Sequence, residues 1–412
     1  MNMRYEPPLD IIIVGRPGST DWCRANEAGK VEWRFFDELF RCFSYDIGSP
    51  HAANPAIPVY FSIGDFGGDD QSSPPPLIDV ARARSTIVFV LLDSGFRRAT
   101  ESWAGFFGKM RKRAQESSRT IRFIPMARAN DGHLSRDLQR LGLGLIAPLY
   151  PQGHDKRQQQ PNDVARFFRI SAMVAAIQAL CSDPKSMPIS LFISYTRRDG
   201  EQIAHQLSTA VQHLGIGAVI DSKAFDPGVP IEVDLLAQKL AAATCMVVLL
   251  TNAYSSRVWC RREMLLAKGR GVPIVVVDML SDLDRVGPHF ANCPFLKMGQ
   301  DVDFDRIVEL AVSEALRVSH HKSRSAAILA LAGIDPQRVE VLSQAPELPS
   351  LVDLAARNAE AVDAEHKPKD LILYPDPPLL EDELSLLRKV DPKFQFLTPT
   401  TIFLTTAATE VV

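Results

Sequence analysis

Four apolar runs between residues 189 and 278 constrain this chain most. They end at Phe192-Ile193, at Val219-Ile220, at Leu249-Leu250 and at Val276-Val277, and helix-length segments separate them. A strand that is apolar along its whole length is buried on both faces, which is the habit of parallel sheets. Parallel neighbours need a crossover, and that crossover is right-handed and usually helical. The stretch therefore predicts an α/β unit with a parallel sheet. Each run turns polar at its carboxyl end: Ser194-Tyr195-Thr196-Arg197, Asp221-Ser222-Lys223, Thr251-Asn252 and Asp278. Ligands of open α/β sheets gather beyond the carboxyl ends of the strands, so this stretch is expected to carry a site.

Residues 8–182 read as a second α/β unit. Strands are expected at Leu9–Val14, Ile57–Ile63, Thr86–Leu92 and Ile121–Met126, with a fifth at Leu145–Leu149. Helices are expected at Val31–Phe43, Leu77–Arg84, Trp103–Ala114 and Val164–Leu180. The element order repeats that of the later stretch. Laying STIVFVLLDSGFRRATESWAGFF against ATCMVVLLTNAYSSRVWCRRE, with two extra residues in the first, sets Trp103 on Trp259 and Phe107 on Glu263. The chain is therefore read as an internal repeat. Gly15-Arg16-Pro17-Gly18-Ser19-Thr20 lacks the lysine and the spacing of a phosphate-binding loop, and reads as a turn leaving a strand.

Past residue 319, His320-His321-Lys322-Ser323-Arg324-Ser325 reads as a polar linker into a third region. That region is expected to hold helices at Pro349–His366 and Leu379–Val390 and strands at Asp370–Tyr374, Phe394–Leu397 and Thr401–Leu404. Pro375-Asp376-Pro377-Pro378 reads as a braced strand-to-helix turn, although a binding loop would occupy the same place. The region is too short for a large core of its own, which predicts that it leans on a neighbour. The domains expected are 1–182, 187–318 and 319–412.

The chain has 412 residues, 46% hydrophobic and 23% charged, with net charge −3. Such a balance carries no electrostatic footprint for nucleic acid or an anionic membrane, so neither is expected as a partner. Apolar runs are strand length, the amino terminus shows no signal core, and Cys23, Cys42, Cys181, Cys245, Cys260 and Cys293 fall in no metal spacing. A cytoplasmic protein with reduced thiols and no metal is expected.

Three motifs stand in order over roughly 187–318: Phe192-Ile193-Ser194-Tyr195, then Val219-Ile220-Asp221 leading to Asp226-Pro227-Gly228, then Ser255-Ser256-Arg257-Val258-Trp259-Cys260-Arg261-Arg262-Glu263. Together they resemble a bacterial TIR (Toll/interleukin-1 receptor) domain of the NAD-cleaving type. The fold class that follows is α/β, with two flavodoxin-like, TIR-like parallel-sheet domains in tandem and a small C-terminal α/β region. The first copy would then be degenerate, since it has no glutamate opposite Glu263.

The resemblance implies that Glu263 is the catalytic carboxylate for breaking the nicotinamide–ribose bond of NAD+, which enters as substrate; no cofactor is implied. It also implies NAD+ contacts from Ser194, Tyr195, Arg197, Ser222, Lys223, Phe225 and Trp259. Plainer readings stand beside these. Glu263 could be a solvated helical glutamate balancing Arg261, Arg262 and Lys268. Ser194 could cap a helix, Phe225 could anchor its loop, and Trp259 could be a core or shelf residue. Cys260 has no histidine at motif distance and reads as a small buried hydrophobe. TIR domains act by stacking, which implies a homo-oligomer or filament through TIR–TIR contacts. Two functions compete: an NAD+-cleaving immune effector switched on by assembly, and a non-enzymatic TIR adaptor. Glu263 favours the first, since adaptor-type TIR domains generally lack it.

Overall fold

The computed structural model describes residues 5–15, 22–25, 31–44, 56–63, 74–93, 100–128, 132–151, 161–181, 189–220, 233–281, 290–299, 301–360 and 368–402. The chain divides into two compact units, Glu6–Pro184 and a second that holds Lys185 onward.

The first unit runs β1 (Leu9–Gly15), β2 (Cys23–Ala25), β3 (Val31–Arg34), α1 (Phe35–Phe43), β4 (Val59–Ile63), β5 (Ser85–Leu91), α2 (Thr100–Glu116), β6 (Thr120–Met126), α3 (Leu134–Arg140) and α4 (Pro161–Leu180). Its parallel sheet has the order β4-β1-β5-β6, and β2 and β3 form a separate antiparallel pair. All seven residues of β1 are buried, as expected of a central strand flanked on both faces.

Three expectations need correction. Val31–Arg34 is a strand, and the helix starts at Phe35; the alternation Val-Glu-Trp-Arg has the period of a strand. Leu77–Arg84 forms turns, because the Asp79 carboxylate accepts from the Ala81 amide at 3.1 Å, a local bond that competes with helix. The fifth strand shrinks to one parallel bridge, Met126 to Leu149.

The second unit opens with β7 (Ser190–Ser194), α5 (Glu201–His213), β8 (Gly217–Ile220), α6 (Val233–Ala242), β9 (Cys245–Leu250), α7 (Val258–Gly269), β10 (Ile274–Asp278) and β11 (Phe295–Lys297). These strands make a parallel sheet of order β11-β10-β9-β7-β8. In order of appearance the strands lie 2-1-3-4-5, the flavodoxin-like winding. The first unit repeats it as 2-1-3-4, with the Leu149 bridge in the fifth place. The architecture is thus two parallel α/β sheets in tandem along the chain, followed in sequence by a small α/β region.

That last region follows from α8 (Phe304–Ala332) through β12 (Val339–Val341), α9 (Leu348–Glu360), β13 (Leu371–Leu373), α10 (Glu381–Leu387) and β14 (Gln395–Leu397). Its three strands are parallel, in the order β12-β13-β14. The expected linker at 320–325 is a correction: it is the middle of the 29-residue α8. The Asp303 carboxylate caps this helix by accepting from the Arg306 amide at 3.0 Å, and Gly333 ends it at φ 66°. The helix continues through the polar stretch because it serves two cores. Its first half buries Ile307, Val308, Ala311, Val312, Ala315 and Leu316, and it lies against β9 and β10. Its second half brings Ile328 and Leu329 to Val339, Leu371, Leu373 and Leu397. Between the two, Glu314 holds Arg317 by two bonds of 2.6 and 2.7 Å, and Arg317 reaches the Ser343 carbonyl at 2.9 Å. Thr401 and Ile402 are turn and helix rather than strand, and 403–404 lie outside the described residues.

The proline turn behaves as a braced connection. The Tyr374 hydroxyl accepts from the Leu379 amide at 2.8 Å, and the Glu383 carboxylate accepts from the Leu380 amide at 2.8 Å.

Candidate active site

The strand order of the second sheet reverses between β7 and β9, and the space beyond their carboxyl ends is where such a fold opens a crevice. Ser194 ends β7, in register with Val248 of β9. From β9 the chain passes through a 3₁₀ turn, Tyr254–Ser256, directly into α7. This short path sets the inner face of α7 over the end of β7. On that face Cys260, Met264 and Ala267 are buried at helical spacing, and Glu263 falls within the same stripe.

Glu263 is only 3% exposed. The Ser194 hydroxyl donates to its Oε2. Ser194 Oγ in turn lies 2.6 Å from the Tyr254 hydroxyl, and both residues are buried. The solvated-glutamate reading is therefore set aside. Lys268, its supposed partner, is itself buried and bound to Glu347 at 2.6 Å.

A cleft of about 400 Å³ opens at this point, lined by Tyr195, Arg197, Arg198, Arg257, Trp259 and Glu263 among others. Three arginines thus line the same cleft as one glutamate, a setting for an anionic ligand with a centre of developing positive charge. Trp259 is half-buried; it lines the cleft and also packs on the core of the sheet, as a shelf would. Cys260 hydrogen-bonds the Tyr195 carbonyl at 3.7 Å. Burial, then the nearby Glu263 charge, pushes its thiol up to about 12, far from a reactive thiolate.

Of the residues the sequence proposed, Tyr195, Arg197, Trp259 and Glu263 meet at the cleft. Ser194 stands behind the carboxylate at 1% exposure, so its hydroxyl meets Glu263 and not a helix amide; Gly200 precedes α5. Ser222, Lys223 and Phe225 lie outside the described residues.

Sequence reasoning missed Tyr254 and Asp199. The Asp199 carboxylate accepts from the Thr251 hydroxyl at 2.7 Å, the Ala253 amide at 2.9 Å and the Thr196 hydroxyl at 3.3 Å. It thereby ties the loop after β7 to the loop after β9. A polar residue five positions past the end of each strand, Asp199 and Ser255, brackets these loops, but nothing in the local pattern says that they bond across the gap. For Glu263 a signal did exist: it sits three residues after Cys260 and four before Ala267, on the apolar stripe of α7.

The first unit fills the matching place differently. Val14 pairs in register with Val90, which aligns with Val248, so Val14 occupies the position of Ser194. Val14 and Phe107 are both fully buried in one hydrophobic cluster with Trp103. Apolar side chains stand there where the second unit has its serine and glutamate.

A model of the TIR domain matches residues 191–310, the segment that contains β7 through the start of α8. A comparison with curated proteins finds no match. The matched segment holds the whole cleft and its buried glutamate, and the sheet beneath it is wound as the motifs implied. Residues 191–310 of the chain are a TIR domain.

Proposed function

We propose that the protein is an NAD+ glycohydrolase, cleaving the bond between nicotinamide and ribose, with Glu263 as the catalytic carboxylate. The observation that carries this reading is the Glu263 carboxylate, buried in a TIR domain at the wall of a cleft rimmed by Arg197, Arg198 and Arg257. Cleavage of an N-glycosidic bond passes through an oxocarbenium-like state, and a fixed carboxylate beside the ribose stabilises that charge. Nicotinamide leaves from a cationic ring, so one carboxylate suffices where ordinary glycosidases need two. The arginines suit the diphosphate, and Trp259 offers a flat apolar face to a ring.

In this reading the enzyme is an immune effector that becomes active on self-assembly, as a homo-oligomer or filament through TIR–TIR contacts. Its first unit is a degenerate TIR-like copy, silent because Val14 and Phe107 fill the site. Among the described residues no helix is long and apolar enough to cross a membrane. We place the protein in the cytoplasm, with neither membrane nor nucleic acid as partner.

Purified full-length protein incubated with NAD+, with and without a crowding agent, tests the proposal when the products are separated. Release of nicotinamide with ADP-ribose or its cyclic form supports it. No release from protein shown to be assembled would favour the adaptor.

A further inference from the structure

Behind the carboxylate lies a chain of hydroxyls whose last member never reaches the cleft. The Ser194 hydroxyl has one proton, and it is donated to Glu263 Oε2. Its lone pairs then face the Tyr254 hydroxyl at 2.6 Å, which fixes the direction: Tyr254 donates to Ser194, and Ser194 donates to Glu263. Burial, with the Glu263 charge next, pushes the Tyr254 phenol well above its ordinary range, so it keeps the proton it donates.

Tyr254 is itself held tightly. Its ring is fully buried against Phe290, 6.1 Å between centroids. Its amide bonds the Thr251 carbonyl at 3.0 Å, and its carbonyl accepts from the Arg257 amide at 3.0 Å. The preceding residue, Ala253, is pinned by Asp199. A glutamate side chain has three rotatable bonds, and a buried one must be aimed by its partners. Here the aim comes from a rigid aromatic residue on another element.

We propose that Tyr254 is a positioning residue for Glu263, acting through Ser194, with Asp199 holding the turn that presents it. This rests on the reading of Glu263 as the catalytic carboxylate. A positioning role concerns the transition state and not the affinity for substrate, so loss of the hydroxyl lowers kcat and leaves KM alone. Misplacement of a catalytic group by about 1 Å can cost roughly 100-fold, and a hydroxyl one residue removed is expected to cost about 10-fold.

The test compares wild type, Tyr254→Phe, Ser194→Ala and the double variant in the full chain. Phenylalanine keeps the ring and its packing on Phe290, which protects the fold. Expected are a kcat lower by about 10-fold in Tyr254→Phe with KM within about 2-fold, and a double variant no worse than Ser194→Ala alone, as coupled groups behave. Additive losses, or an unchanged kcat in Tyr254→Phe beside an inactive Glu263→Gln, would overturn the proposal.

A second readout does not depend on turnover: the pH midpoint of the Glu263 side-chain carboxyl, followed by carbon-13 NMR. Hydrogen bonds to a carboxylate favour its ionised form, so losing either hydroxyl moves the midpoint up. The titratable and charged groups around it include Cys260 on the same helix and Arg197, Arg198 and Arg257 on the same cleft, and Tyr254→Phe leaves all of these in place. Unmoved midpoints would overturn the relay whatever the activity. A moved midpoint in a protein that cleaves no NAD+ supports the relay and removes the enzyme reading instead.

Discussion

Replacing Glu347 by alanine strands the ammonium of Lys268 inside the protein. The two are 2.6 Å apart, with side chains 12% and 3% exposed. Glu347 also accepts from Asn292 Nδ2 at 2.8 Å, while Lys268 donates to the Ala291 carbonyl at 2.8 Å. Removing one partner of a buried pair costs about 3–5 kcal/mol, because the remaining charge is left without compensation. The Ala291 bond survives and the Glu347 side opens toward water, so the lower end, about 3 kcal/mol, is expected. Converting both residues to hydrophobic ones of similar size, Lys268→Met with Glu347→Leu, should recover most of it, to within about 1 kcal/mol. The assay is amide exchange of α7 and α9, since Lys268 lies on α7, Glu347 immediately precedes α9, the two helices pack together, and exchange reports local opening. The Ser350 hydroxyl also bonds the Lys268 carbonyl at 3.2 Å, and a side chain at Gly269 would press on Asp353 at 3.2 Å. Because α7 carries Glu263, the same change should weaken the proposed NAD+ cleavage. A loss of under about 0.5 kcal/mol, the range of an ordinary surface change, would refute the idea that the C-terminal region braces the helix that carries Glu263.

Other outcomes follow from the same structure. Burial, then the Arg317 charge, lowers His321 from 6.5 to about 4, so it stays neutral in the fold while the unfolded chain takes up a proton. Stability should therefore fall as pH drops from 6.5 to about 4 and level off below, and His321→Gln should flatten the dependence, measured by denaturation across that window. In the full chain, Glu263→Gln should leave no residual NAD+ turnover, because the first unit has Phe107 and Val14 where the second has Glu263 and Ser194; turnover surviving in that variant would contradict the pairing of the two halves. If activity needs assembly, rate should rise faster than linearly with protein concentration, and Phe225→Asp should lower assembly and rate together; strict linearity with a monomer throughout would speak against it.

Much of the fold was legible because buried parallel strands announce themselves. Cys245–Leu250 and Ile274–Asp278 are apolar almost throughout, and both are interior strands of their sheet. Short elements were less readable. Val339–Val341 was missed because three residues are too few to establish a strand period, and the pairing that makes them a strand comes from the distant β13. The polar stretch 320–325 imitates a linker, yet tertiary burial on both sides keeps it helical. At the site, the resemblance to TIR domains pointed to Glu263, Trp259 and Tyr195, and all three line the cleft. Tyr254 and Asp199 stayed hidden because their contacts join loops 52 to 60 residues apart, and no local periodicity records a bond across such a distance.

The central claim is that the buried Glu263 carboxylate does the chemistry. Glutamine at 263 keeps the side chain's volume and an oxygen to accept from Ser194, so the fold survives while the negative charge is lost. Nicotinamide release from NAD+ by wild type and Glu263→Gln, both at concentrations where the wild type is assembled, is the direct measurement. The account predicts turnover by the wild type and a loss of at least about 100-fold in the variant, the scale of removing one key electrostatic partner of a transition state. Equal turnover in the two would contradict it.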